Sequence, residues 1–188
     1  MPIGAYITTD EIWKKAYGGL EKFALHTSTA GGNTRAAAAA IATLEVICEE
    51  NLPEQARESG RYLLAGLARL KEKYPLLKDV RGKGLMVGIE FNPPGSLAKK
   101  ASFGLVNKLS EEYLASMVAG ELLNKYRIIA IYTLNNPNVI RLEPPLNVTR
   151  EQIDTLLQAF EEIFAAHKGF FSMAASGAKT MVKSLIKK

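Results

Sequence analysis

The stretch Leu85-Met86-Val87-Gly88-Ile89-Glu90-Phe91 constrains this chain more than any other. Apolar residues occur in both of its alternating sets, so the strand it predicts has apolar residues on both faces and belongs inside a sheet. Such a strand needs neighbours along both edges and a layer packed over it. Pro93-Pro94-Gly95-Ser96 breaks it on one side, and Arg81-Gly82-Lys83-Gly84 on the other reads as a turn.

The rest of the chain supplies candidate helices and strands. A short helix is expected over residues 10–17, with Thr9 or Asp10 as its N-cap. The Ala-rich, apolar residues 36–48 read as a buried helix, capped by Asn33 or Thr34. Pro53 suits the first turn of another helix that runs to about residue 74, where Pro75 stops it. A further helix is expected over residues 103–126, then short strands at 128–132 and 139–142 about a turn at Asn135-Asn136-Pro137-Asn138. Thr149 and Gln152 have the spacing of a capping box. Behind them Ile153, Leu156, Leu157, Phe160, Ile163 and Phe164 fall on one helical face. The order helix, strand, helix, strand, strand, helix predicts an α+β arrangement, with helices on one face of a small sheet.

With 47% hydrophobic residues in 188, the chain can build one compact core, or one domain with an appendage. No apolar run reaches the ~18 residues of a membrane span, and residues 1–5 do not resemble a secretory leader. Cys48 is the only cysteine, so no internal disulfide forms, which suits a reducing, cytoplasmic setting. The net charge of +5 sits partly in the tail, and the remaining basic residues are interspersed with glutamates, so no nucleic-acid partner is expected. The tail from residue 170 repeats apolar residues at helical spacing with lysines between them. It reads as a terminal helix docked on its own domain, with contact to a membrane surface or a partner as the rival reading.

Catalytic signals are sparse. Walker A, G-x-G-x-x-G and H-E-x-x-H patterns are absent, and the two histidines, His26 and His167, make a poor basis for a metal site. Two features remain. Thr27, Ser28 and Thr29, followed by Gly31-Gly32 and a helix start, could cradle a phosphate or could be an ordinary capped loop. Arg141, just before Pro144-Pro145, could clamp a carboxylate or could pair with Glu143 or a neighbouring chain.

Several runs together resemble one family. His26-Thr27-Ser28-Thr29-Ala30-Gly31-Gly32-Asn33 is similar to the H-x-x-T-aromatic-G-G-N-P segment of class III (ornithine-type) aminotransferases. Pro2-Ile3-Gly4-Ala5 resembles the piece that follows their catalytic lysine. Val80-Arg81-Gly82-Lys83-Gly84-Leu85-Met86, continuing to Gly88-Ile89-Glu90, and Ile140-Arg141-Leu142-Glu143-Pro144-Pro145-Leu146 resemble two later family segments, in family order. Within the family, Tyr132-Thr133-Leu134-Asn135-Asn136 and the segment after it look most like putrescine aminotransferases. Ala30 and Thr34 depart from the pattern, standing where an aromatic residue and a proline are usual.

The resemblance implies the C-terminal part of a fold-type I enzyme that uses pyridoxal 5'-phosphate (PLP) and works as a homodimer. Residues 1–50 would close the large domain and begin the interdomain helix, 51–74 would be an interdomain helical segment, 75–167 a small α+β domain and 168–188 a basic amphipathic tail. Thr29 would bind the cofactor phosphate in the partner subunit, Ser28 would lie near the substrate, and Arg141 would hold the carboxylate of glutamate or 2-oxoglutarate. The amino donor would be a diamine such as putrescine or an ω-amino acid. The Schiff-base lysine lies outside these residues, because Lys14 and Lys15 come after the Pro-Ile-Gly-Ala run rather than before it. The chain by itself is therefore expected to be inactive. A non-catalytic interaction module derived from such an enzyme, using the basic tail, is the alternative.

Overall fold

The computed structural model describes residues 3–22, 24–25, 28–29, 31–92, 105–167 and 173, with side chains from Tyr113 onward in the helix that begins at Leu105. The calls on His26, Thr27, Ala30 and the basic tail therefore lie outside the described residues, Met173 excepted. The chain divides into two compact units, residues 1–51 and 52–188.

The first unit holds two helices, α1 (Asp10–Tyr17) and α2 (Thr34–Glu49). Thr9 is the N-cap of α1, its hydroxyl accepting the Ile12 N–H at 3.4 Å. Asn33 is the N-cap of α2, its side-chain oxygen accepting the Ala36 N–H at 3.0 Å. The expectation that α2 is buried is corrected. Only Ala36 is buried in it, while Ile41, Leu44 and Val46 are exposed. Its apolar composition is that of a core helix, but burial needs a facing layer, and the elements of its own unit supply none.

The second unit runs α3 (Leu52–Lys73), β1 (Leu77–Lys83), β2 (Met86–Phe91), α4 (Leu105–Tyr126), β3 (Ile131–Tyr132), β4 (Val139–Leu142) and α5 (Arg150–Ala166). The four strands form one antiparallel sheet in the order β1-β2-β4-β3. β2 is interior, as its composition predicts. Its second face is not apolar surroundings, however: Val87, Ile89 and Phe91 are buried, whereas Met86 is 63% exposed. One layer of helices covers the first face and leaves the other open.

The turn expected at residues 81–84 is a second correction. Arg81, Gly82 and Lys83 belong to β1 and pair with Gly88, Val87 and Met86. The reversal narrows to Gly84-Leu85, with Gly84 at φ +56°. β1 is an edge strand whose outer side chains meet water, so its charged composition hides it from a hydrophobicity pattern.

The core lies between the sheet and the helices. Leu63, Leu67 and Leu70 of α3 belong to one buried cluster with Val87, Ile89, Ile140 and Leu142 of the sheet. Leu114, Val118 and Leu122 of α4 and Ile153, Phe160, Ile163 and Phe164 of α5 complete it. Phe164 is its hub, with ring centroids 5.4 Å from Phe160, 5.8 Å from Tyr74 and 6.2 Å from Phe91. Pairs of this kind contribute about 0.5–1.5 kcal/mol beyond their area burial. Two reciprocal bonds start α5: Gln152 backbone N–H donates to the Thr149 hydroxyl at 3.3 Å, and Thr149 backbone N–H donates to the Gln152 side-chain Oε1 at 3.0 Å. The capping box expected from the sequence is therefore present.

Candidate functional site

Arg141 lies on β4, directly opposite Gly88 on β2 and Ile131 on β3. Residues opposite one another in an antiparallel pair point to the same face. Ile140, one residue away, is fully buried, so Arg141 projects from the face that the helices leave open. Gly88 has no side chain to crowd the guanidinium. A Cβ built there would meet Val139 at 3.6 Å and Arg81 at 3.9 Å, so the glycine leaves room rather than being demanded by a clash.

Beside Arg141 is a cleft of about 410 Å³. Its apolar wall includes Ile128, Ile131, Leu142 and Leu156, and Arg141 and Glu143 are its charged residues. The corner at Pro144-Pro145 closes one side. Ligand clefts of this size combine an apolar lining with a few placed polar groups. Arg141 Nε is 3.3 Å from Glu143 Oε2, and both side chains are about half exposed. The sequence named Arg141 and gave Glu143 as one candidate for its ion-pair partner, and that pair is present. The role of Gly88 as the open cross-strand position was missed. Its signal was a glycine inside an otherwise bulky strand.

The same face carries a second charge cluster on β1 and β2. Glu90 accepts from Lys78 at 2.7 Å and from Arg81 at 2.8 Å, and Arg81 also donates to Asp79 at 2.8 Å. The Lys78 bond, then the Arg81 bond, hold the Glu90 carboxyl below its ordinary pKa. Arg81, then Lys71, do the same for Asp79.

In the first unit, Ser28 and Thr29 are exposed and lie in a turn closed by Gly31 N–H donating to the Ser28 carbonyl at 3.0 Å. Gly32 follows at φ +73°, with nothing within 4 Å of a built Cβ. The first turn of α2 contains no acidic side chain, and Asn33 satisfies the Ala36 N–H. Two free hydroxyls, an open glycine backbone and the uncompensated positive end of a helix dipole suit a phosphate group. On that chemistry, the phosphate end of PLP fits Ser28, Thr29 and Gly31-Gly32. Among the described residues no group of three or more acidic, histidine or cysteine side chains is placed to hold a metal ion. Nor, among the described residues, is any helix long and apolar enough to cross a membrane.

Residues 1–164 match the aminotransferase class-III family, and the chain belongs to it. It is 38% identical over 167 residues to an uncharacterised aminotransferase of Schizosaccharomyces pombe, a match covering 88% of this chain and 33% of that protein. An amine transaminase structure from an uncultivated Pseudomonas species is similar at TM-score 0.65 and 28% identity, covering 83% of this chain and 33% of the other. The adenosylmethionine-8-amino-7-oxononanoate aminotransferase of Methanocaldococcus jannaschii is similar at TM-score 0.63 and 31% identity, covering 84% and 34%. The chain thus spans about a third of the length of these relatives. Class III aminotransferases are PLP-dependent, and the Pseudomonas structure is in a PLP-bound form.

Proposed function

We propose that this chain forms the carboxylate-recognising part of a PLP-dependent aminotransferase that moves an amino group from a diamine such as putrescine to 2-oxoglutarate. The observation that carries this reading is Arg141, projecting from the open sheet face beside an apolar cleft with no side chain opposite it on β2. A guanidinium in that setting binds a planar carboxylate in two-pronged fashion, and lysine cannot replace it in that role. The apolar wall would take the methylene chain of a dicarboxylate or a diamine.

In the same reading Thr29 donates its hydroxyl to the cofactor phosphate within the partner subunit of a homodimer, and Ser28 contacts the substrate. When bound, PLP supplies the electron sink that labilises the bonds of the amine-bearing carbon. The lysine that the chemistry requires must come from outside these 188 residues. The putrescine preference rests on the likeness of residues 132–145 to that branch of the family. The single cysteine, exposed Cys48, suits a reducing compartment such as the cytoplasm.

The test is a binding titration of the purified chain with 2-oxoglutarate, followed by NMR. Saturable shifts around Arg141 that vanish in Arg141→Ala are expected. Binding that persists unchanged in Arg141→Ala would overturn the assignment. Glutamate formation by the purified chain with PLP, putrescine and 2-oxoglutarate would contradict the need for an external lysine.

A further inference from the structure

Helices α3 and α5 run side by side in the same direction and are joined at successive levels. The Tyr62 hydroxyl donates to Asp154 at 2.5 Å, with the Arg150 guanidinium 4.3 Å from the centre of the Tyr62 ring. At the next level Leu157 lies over Gly66, where a Cβ would collide with it. At the far end Lys73 pairs with Glu161. From Gly66 to Lys73 α3 advances seven residues, whereas α5 advances only four from Leu157 to Glu161. At ~1.5 Å per residue α3 is about 4.5 Å longer over this stretch. One level of the seam is therefore left without a cross-link. A groove of about 410 Å³ occupies it, lined by Arg69, Leu70, Leu157 and Gln158 between the two joined ends. It shares no lining residue with the cleft beside Arg141.

Arg69 is the unspent charge of this groove. It makes no hydrogen bond or ion pair among the described residues, while Lys73 is matched by Glu161 and Asp154 is held by Tyr62. Gln158 donates its amide to Glu162 at 2.9 Å, so that amide is spent within α5. Along the seam Arg69, Lys73 and Arg150 stand against Asp154 and Glu161, which leaves one positive charge over. Leu70 and Leu157 supply an apolar wall. Ligand clefts of about this size combine such a wall with a few polar groups.

We propose that the groove between α3 and α5 is a binding site for a small organic monocarboxylate, with the carboxylate on the Arg69 guanidinium and a short apolar body against Leu70 and Leu157. A guanidinium fork matches a planar carboxylate through two parallel hydrogen bonds. The apolar body takes leucine surface out of water, which sets this ligand apart from inorganic phosphate. The cross-links at both ends hold the groove in shape before binding. They also bound its length, so it takes a small molecule rather than an extended peptide.

The experiment is an NMR titration of the purified chain carrying Arg141→Ala, so that the cleft beside β4 does not compete for carboxylate. The probes are pentanoate, 1-pentanol and inorganic phosphate. The readouts are the Gln158 side-chain amide, the Arg69 Nε–H and the dissociation constant of each probe. Pentanoate should bind saturably and shift both resonances. Adding Arg69→Gln should weaken it about fivefold, the upper end of what exposed ion pairs give. Arg69→Lys, which keeps the charge and loses the fork, should fall between the two. 1-Pentanol and phosphate should both bind more weakly than pentanoate. Pentanoate affinity unchanged in Arg69→Gln would overturn the proposal. Equal binding of 1-pentanol would also overturn it, by making the groove merely apolar, and so would tighter binding of phosphate. The urea midpoint should not move when Arg69→Gln is added, because Arg69 has no partner to lose. A fall would overturn its reading as an unspent charge.

Discussion

Gly60 of α3 packs against Gly84 of the β1–β2 turn so closely that a Cβ at residue 60 would lie 2.1 Å from the Gly84 carbonyl oxygen. The contact is backbone against backbone, so neither partner can yield by changing rotamer. It seats α3 on the hairpin that carries β2, and β2 in turn pairs with the strand that carries Arg141.

Gly60→Ala should therefore destabilise the chain by about 2 kcal/mol or more, because overpacking outweighs the ~1 kcal/mol of added helix propensity. Gly120 is the control, since nothing lies within 4 Å of its built Cβ in the middle of α4. Gly120→Ala should stabilise by up to about 1 kcal/mol. Urea midpoints of the two variants should move in opposite directions.

Thr149→Ala removes the acceptor for the first turn of α5. A loss of about 1 kcal/mol is expected. Amide exchange should accelerate at Gln152 and Ile153 more than at Phe164. Uniform acceleration along α5 would mean that the cap does not act locally.

Glu90 has a folded-state pKa below its ordinary 4.5 because Lys78 and then Arg81 hydrogen-bond to its carboxylate. A depressed carboxyl contributes stability that is present above the unfolded pKa and is lost as pH falls through the folded one. Stability should thus decline as the pH is lowered below about 4.5, and Glu90→Gln should flatten that acid limb. Equal slopes for the two proteins, measured by denaturant titration at several pH values, would remove Glu90 from the explanation.

Tyr126 behaves in the opposite sense. Burial, and then the hydrogen bond it donates to Glu162 at 2.7 Å, raise its pKa from 10.0 to about 12. A raised pKa contributes stability that is complete below the unfolded value and is lost as pH rises through the folded one. Between pH 10 and about 12, unfolding should become easier, and Tyr126→Phe should lessen that dependence. Tyr62 is also raised, by its hydrogen bond to Asp154, so ultraviolet titration of the seven tyrosines should contain late steps of which the variant lacks one.

Much of the architecture was legible without coordinates. The interior position of β2, the capping box at Thr149 and Gln152 and the apolar face of α5 all follow from local spacing. The motifs around Thr29 and Arg141 stood out through their resemblance to family segments, since the residues alone read equally as a capped loop and a surface ion pair. β1 was not visible, since Leu77-Lys78-Asp79-Val80-Arg81-Gly82-Lys83 has the composition of a loop. It is a strand because the free edge of β2 offers it hydrogen bonds.

Sequence alone determined what depends on neighbours along the chain: which segments are helical, where helices start, and that the strand at Met86–Phe91 has a paired neighbour on each side. Tertiary structure alone decided what depends on neighbours across space. It made Arg81 part of a sheet rather than a turn, and left α2 exposed despite its alanines and the apolar Ile41, Leu44 and Val46. It also set Gly88 opposite Arg141, with Glu143 3.3 Å from the guanidinium. The physical reason is that hydrogen-bond spacing and capping act over three or four residues, whereas burial and charge pairing depend on which distant surfaces meet.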